Sequence, residues 1–443
     1  MRKDVLEMMA QTDPAAVART VVEMAREGRF ADIEELFAPR LRAVVSAETL
    51  RAGWAGEISR RGPVSTVGEP ACEPADAALV RVRVPVTCER GGLTVVMSVD
   101  DTGRLQGLRL APPATESWEP PGYAAPKRCT EHEVTVGSGA LAVPGTVTLP
   151  RGRGPWPGVV LLSGGGSFDR DETTGPNKPL KDLAWGLAAH GMAVARFDKV
   201  THVHGHVSTE PGFTMVDEYV PHAVAAVRLL QQQPGVDPAR VFVLGHSAGG
   251  RAAPRVAAAE ASVAGLVILA GDALPLSRAA VRTARYLAAV NPGADAEAAV
   301  ASIIRQAALV DSPDLSPSTP MTDLLFGLPA SYWLDLRGYD QVATAAALDR
   351  PMLILQGGRD YQVTVEEDLS RWQAGLAHRP DVTIRVYDAD DHLFFRGDGP
   401  STPADYESPQ HVDPSVVADI AAWLAPGKGT LARLAAGLRR RPR

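Results

Sequence analysis

Three residues, Ser247, Asp360 and His392, stand in chain order in settings where a nucleophile, an acid and a base could act together. Ser247 lies in Gly245-His246-Ser247-Ala248-Gly249, a G-x-S-x-G pattern that directly follows the apolar run Phe242-Val243-Leu244 and precedes an alanine-rich stretch. This spacing predicts a serine on a sharp strand-to-helix turn, forced toward positive φ, with glycines where strand and helix back onto each other. The turn lifts the hydroxyl clear and puts the backbone N–H of Ala248 at the tip of the new helix, where the helix dipole favours a tetrahedral oxyanion. The pattern alone is common by chance, so its context carries the weight. Arg350 to Leu355 is an apolar strand that breaks into Gln356-Gly357-Gly358-Arg359-Asp360, and Val382 to Tyr387 is another that breaks into Asp388-Ala389-Asp390-Asp391-His392. Serine, acid and histidine each follow a strand, which predicts a triad: His392 takes the proton of Ser247 and Asp360 holds the imidazole tautomer.

The chemistry needs a second oxyanion donor, and the chain offers a place for it. Trp156 to Ser163 reads as a buried strand ending in Gly164-Gly165-Gly166, where glycine permits close approach of the backbone to a ligand. Gly165 is the expected donor, with Gly166 as the alternative register. After it comes a charged turn, Phe168 to Pro179, then a helix from Leu180 to His190 ended by Gly191. In that turn Arg170 is a candidate for binding a substrate anion, against the plainer reading of a salt-bridged loop. Thr201 to His206 contains three alternating histidines, but no acid or cysteine completes a ligand set and no metal is expected.

At this point the chain resembles a known branch of enzymes. The run Gly166-Ser167-Phe168-Asp169-Arg170-Asp171-Glu172-Thr173-Thr174-Gly175-Pro176-Asn177-Lys178-Pro179, the following Lys181 to Ala188 and the strand Gly191 to Lys199 are similar to bacterial serine esterases related to dienelactone hydrolases and bile-acid acyltransferases. The resemblance covers residues 130 to about 425 apart from a middle insertion. It implies an α/β-hydrolase with a doubly wound, mostly parallel sheet, acting through an acyl-enzyme without a cofactor. Ser163 stands where many relatives carry a histidine. The small-molecule acyl substrate would be an ester or thioester; a biosynthetic acyltransferase or cyclase would use the same triad with a non-water acceptor. A peptidase is disfavoured because no propeller or other large gating domain precedes the hydrolase.

Around this core the sequence divides into further parts. Residues 1–111 read as a small α+β unit: helices from Pro14 to Gly28, Phe30 to Phe37 and Ser46 to Ile58, then period-two strands Ala78 to Cys88, Gly92 to Val99 and Leu105 to Leu110 joined by hairpin turns. In layout this unit is similar to the cone-shaped domains of the nuclear transport factor two-like class, which implies a structural role or a homodimer. A proline-rich linker spans 112–128, the hydrolase 129–426, and a basic tail 427–443. Between the strand at Val263 to Leu269 and the one at Arg350 an insertion, about 272–349, is expected to form a helical lid, with Trp333 as a candidate substrate contact.

Composition sets the outer bounds. The chain has 443 residues, 45% hydrophobic content and a net charge of −7, which fits a globular two-domain protein and argues against nucleic acid as a partner. No apolar run reaches the length of a membrane span, and the first residues lack the apolar core of a signal peptide, so a cytoplasmic location is expected. Three cysteines without C-x-x-C spacing imply neither disulfides nor zinc.

Overall fold

The long apolar runs in the second part of the chain become the strands of one eight-stranded sheet. The computed structural model describes residues 13–76, 79–111 and 118–425. Within these the chain forms two units, residues up to 117 with 406–409, and residues 118–405 with 410 onward. The basic tail, and prolines 112 and 113 of the linker, lie outside the described residues.

In the first unit the helices Pro14–Arg26, Phe30–Glu35, Pro39–Val44 and Ala47–Arg61 precede a sheet of β1 (Val64–Val67), β2 (Ala71–Asp76), β3 (Leu79–Cys88), β4 (Gly91–Asp100) and β5 (Leu105–Ala111). The order is β1-β3-β4-β5 with β2 also on β3, antiparallel throughout. Asp13 caps the first helix by accepting from Ala15 N, and Pro14 occupies a position whose missing N–H costs nothing. Val17, Val21, Val22, Phe30, Ile33 and Trp54 pack with Val82, Val84, Leu93, Met97 and Leu105 into a core of the unit's own. Two strands and one helix exceed the expectation. The strand β2 carries Glu73 and Pro74 and is exposed at Ala71 to Glu73, so it shows no alternation, and Pro39 opens a short helix at its first turn instead of merely breaking one.

The second unit adds β6 (Cys129–Val136), β7 (Val143–Pro150), β8 (Trp156–Leu162), β9 (Ala193–Phe197), β10 (Val236–His246), β11 (Leu266–Leu269), β12 (Met352–Gly357) and β13 (Val382–Tyr387). Their spatial order is β13-β12-β11-β10-β8-β9-β7-β6. Pairing is parallel from β13 to β9 and antiparallel for β7 and β6. Strands such as Leu266–Leu269 and Met352–Gly357 are buried at every residue, as parallel strands covered on both faces must be. This mixed doubly wound sheet is the α/β-hydrolase architecture. The chain leaves β8 for β9 on one side and then for β10 on the other, so strand order reverses beside β8. Open sheets of this kind bind ligands outside the carboxyl ends of the strands at such a reversal. Register sets Leu162 opposite Gly245, which brings the loop after β8 beside the turn after β10.

Between β11 and β12 the insertion forms the helices Leu276–Val290, Ala294–Asp311, Ala330–Arg337 and Gln341–Ala347. Ala280, Val310, Leu315, Leu324, Leu325 and Trp333 make a small core there. Trp333, the candidate substrate contact, is 3% exposed and stacks with Phe326 inside this core. The aromatic pattern of the insertion could not separate lining from packing, because both roles select the same apolar rings.

Candidate active site

The serine turn is built by close backbone approach. Strand β10 ends at His246, Ser247 adopts φ 53° and ψ −120°, and the helix Ala248–Ala259 starts at the next residue. A Cβ added at Gly245 would come within 2.1 Å of the Gly249 carbonyl oxygen, and one at Gly249 within 2.6 Å of the carbonyls of Leu162 and Ser163. Only glycine fits at either position. The Ser247 N–H donates to Leu269 O at 2.9 Å, tying the turn to the end of β11. The strain of a non-glycine residue at positive φ is thus imposed by the following helix and by the ends of two neighbouring strands, β8 and β11.

Asp360 and His392 meet directly. His392 Nδ1 donates to Asp360 Oδ2 at 2.7 Å, and both residues are buried. Gln356 Nε2 donates to the same Oδ2 at 3.1 Å, while Oδ1 accepts the N–H groups of Gln362 and Val363 at 2.8 and 2.9 Å. Four donors therefore converge on one carboxylate and fix its orientation. The glycines at the end of β12 let the two loops touch: a Cβ at Gly357 would lie 2.3 Å from Asp391 O and one at Gly358 2.7 Å from the Asp388 Cα. The neighbouring acids do other work. Burial pushes the Asp391 carboxyl up to about 6 although its Oδ1 accepts the N–H groups of Leu393 and Phe395. Asp390 is pushed up to about 7 by burial and by the nearby charge of Asp413.

Ser247 is linked to that pair through its neighbour His246. The two histidine rings lie 4.8 Å apart between centroids, and His246 Nε2 donates to the backbone carbonyl of His392 at 2.8 Å. Its other nitrogen faces Glu172 Oε1 at 2.9 Å, an oxygen that also accepts the N–H of Gly164 at 2.7 Å. Both ring nitrogens thus face acceptors, which suits the doubly protonated ring. Burial opposes that charge, but the adjacent Glu172 carboxylate outweighs it and holds the His246 pKa above the ordinary value. Glu172 itself sits at φ 55° and is 2% exposed.

The loop after β8 is held from its other side as well. Lys199, just past β9, donates from Nζ to Gly164 O at 2.9 Å, to Tyr219 Oη at 2.8 Å and to Glu218 Oε1 at 2.7 Å. Tyr219 Oη in turn lies 2.9 Å from Gly164 O. Burial drives the Tyr219 hydroxyl far above its usual pKa, so it remains a donor. Gly165 is exposed, and a Cβ there would lie 3.6 Å from the Ala248 Cβ, so the two expected oxyanion donors stand side by side.

The charged turn is a network of ion pairs. Arg170, the candidate for binding a substrate anion, bonds Asp198 through Nε at 2.9 Å and also Glu133 and Thr146, so two carboxylates face its guanidinium. Asp171 pairs with Arg196 and Lys178 at 2.8 and 2.9 Å. Residues 200 to 209 form two short helical turns in which His202 and His204 hydrogen-bond backbone carbonyls, and among the described residues no group of side chains is arranged to hold a metal. The three cysteines are free thiols. Among the described residues no helix is long and apolar enough to cross a membrane. Glu172, His246, Lys199 and Tyr219 were not singled out from sequence. The dense charge of the 169–178 run was the one available signal, and it marks Glu172 alone.

Sheet order, strained serine turn and buried acid–histidine pair define a serine hydrolase of the α/β-hydrolase class. Comparison narrows the class. The family profile described as "Serine aminopeptidase, S33" (Hydrolase_4) matches residues 178–398. The chain is 36% identical over 337 residues to Esterase EstD of Thermotoga maritima, covering 76% of this chain and 77% of that one. Among solved structures it is similar to Est1E from Butyrivibrio proteoclasticus, at 18% identity over 59% of this chain and 90% of that one with a TM-score of 0.40. The Pyrobaculum calidifontis esterase matches at 18% identity over 67% and 85%, with a TM-score of 0.42. The chain belongs to the α/β-hydrolase serine esterases that include EstD, and it is a hydrolase acting on ester bonds.

Proposed function

We propose that Ser247 attacks the carbonyl of an ester or thioester of a small to medium acyl group, with His392 as general base and Asp360 as the residue that orients it. The observation that carries this reading is the 2.7 Å bond from His392 Nδ1 to Asp360 Oδ2, beside a serine held at φ 53° at the end of β10. The proton of Ser247 Oγ passes to His392 Nε2 as the Oγ–C bond forms, and the carbonyl electrons move to an oxyanion held by the N–H groups of Ala248 and Gly165. Collapse expels the alcohol or thiol, which takes the proton back from His392. Water then repeats the sequence on the acyl-enzyme. Nothing in this cycle calls on a cofactor or metal.

The first unit supplies none of these groups, and we assign it a structural or dimerising role in keeping with its cone-like layout. The helical insertion acts as the lid over the acyl pocket. The test is a fluorophosphonate probe together with a panel of acyl esters and thioesters. The wild type should label at Ser247 and turn over short to medium esters, and Ser247→Ala should lose both by several orders of magnitude while keeping its fold. Labelling elsewhere, or near-normal turnover by the alanine variant, would discard the assignment. Added alcohol or amine acceptors separate hydrolysis from acyl transfer, because a transferase would give the acceptor ester or amide as the main product.

A further inference from the structure

We infer that Lys199 and Tyr219 are positioning residues of the oxyanion hole, which hold the carbonyl of Gly164 and thereby aim the N–H of Gly165. The inference rests on the reading of Ser247 as nucleophile and Gly165 as donor. Its basis is the planarity of one peptide. In a trans peptide the C=O of residue i and the N–H of residue i+1 lie in one plane and point in opposite directions. Whatever grips the Gly164 oxygen therefore sets where the Gly165 N–H points. Two donors grip it, Lys199 Nζ at 2.9 Å and Tyr219 Oη at 2.9 Å. The preceding N–H, of Gly164, is held by Glu172 Oε1 at 2.7 Å. A peptide flanked by glycines has the greatest torsional freedom in the loop, and here that freedom is removed from both sides.

The same peptide lies against the serine turn. A Cβ at Gly164 would be 3.2 Å from the Ser247 Cβ, and one at Gly165 would be 3.6 Å from the Ala248 Cβ. Lys199 is spent entirely on this arrangement: its three protons have three acceptors, Gly164 O, Tyr219 Oη and Glu218 Oε1. At 3% exposure it binds no solvent-borne anion, and a merely space-filling role would be met by methionine or leucine without a buried charge. An ammonium on a carbonyl oxygen also draws electrons from the peptide, which strengthens the N–H dipole offered to the oxyanion. The counter-charge leads outward. Glu218 Oε2 accepts from Tyr332 Oη at 2.6 Å, and Tyr332 belongs to the insertion helix Ala330–Arg337. An unbroken path Tyr332-Glu218-Lys199-Gly164 thus joins the insertion to the oxyanion peptide.

The test separates transition-state from ground-state effects in the full-length enzyme. Loss of an oxyanion donor outright costs roughly a hundredfold to a thousandfold in kcat, so misaiming one should cost about tenfold to a hundredfold. Lys199→Met is expected to lower kcat by that factor with KM changed less than about threefold. Affinity for a trifluoromethyl ketone, whose serine adduct carries an oxyanion, should fall in the same ratio as kcat/KM. Because that variant strands Glu218, the double variant Lys199→Met/Glu218→Gln removes both buried charges and should recover the melting temperature but not kcat. Tyr219→Phe, which leaves Lys199 in place, should show a smaller loss of the same kind. Recovery of wild-type kcat by the double variant, or unchanged trifluoromethyl ketone affinity, would overturn the inference and leave Lys199 a folding residue. Failure of the wild type to label at Ser247 would instead overturn the underlying reading of the site.

Discussion

Replacing Asp360 by asparagine is the sharpest test of the proposed triad, because the surrounding hydrogen bonds dictate how the new amide must sit. Oδ1 of Asp360 accepts two backbone N–H groups, from Gln362 and Val363, at 2.8 and 2.9 Å. The asparagine oxygen has to stay there, since an NH2 group facing two N–H donors would leave three donors without an acceptor. The NH2 group therefore replaces Oδ2 and confronts His392 Nδ1, 2.7 Å away in the native enzyme, and Gln356 Nε2. The imidazole relieves the clash by moving its proton to Nε2, so that Nδ1 accepts from the amide. That is the wrong tautomer, because Nε2 must be free to take the proton of Ser247. In serine proteases the same substitution lowers kcat about ten-thousandfold with geometry intact, which at roughly 1.4 kcal/mol per tenfold is about 5 kcal/mol of transition-state stabilisation. Stopped-flow hydrolysis of a p-nitrophenyl ester by Asp360→Asn should show a loss of that order, with circular dichroism and KM little changed. Asp390→Asn and Asp391→Asn, whose side chains do not meet the imidazole in this way, should each cost less than about tenfold. A kcat for Asp360→Asn within tenfold of wild type, or a larger loss at Asp390, would refute the assignment of the acid.

Three further expectations follow from the same structure. Gly249→Ala should fail to fold or lose activity almost wholly, since its Cβ would lie 2.6 Å from two carbonyl oxygens; a soluble, active variant would show that the strand and helix can separate. The His246 pKa is raised in the fold by Glu172, so their pairing stabilises the protein fully below the unfolded histidine pKa of about 6.5 and less as pH rises through the folded value. The melting temperature of Glu172→Gln should accordingly lie furthest below wild type at acid pH and approach it in alkali, and a gap that widens with pH would contradict the pairing. A chain starting at Trp118, lacking the first unit with its separate core, should still label at Ser247 with a fluorophosphonate; a folded chain that does not label would give the first unit a part in the site.

What the sequence alone determined is local. Glycine spacing around Ser247, the Gln356-Gly357-Gly358 break and the strand ends before Asp360 and His392 are readable because a tight turn restricts residue type within a few positions of itself. The same apolar runs mark the parallel strands as buried elements, whereas their order, with its reversal beside β8, is set by the tertiary pairing. Strand β2 escaped because an exposed edge strand with a proline has no period to detect. Tertiary structure decided the rest. Arg170 finds Asp198 and Glu133 across 28 and 37 residues of chain, and His246 finds Glu172 across 74. Whether a lone arginine binds substrate or a lone lysine grips a carbonyl depends on which opposite charges and polar atoms the fold brings within about 3 Å, and no residue carries that information in its own neighbourhood. Trp333 makes the same point for apolar groups: its ring would suit a pocket wall or a core equally, and only the packing of Val310, Leu324 and Leu325 around it made it core.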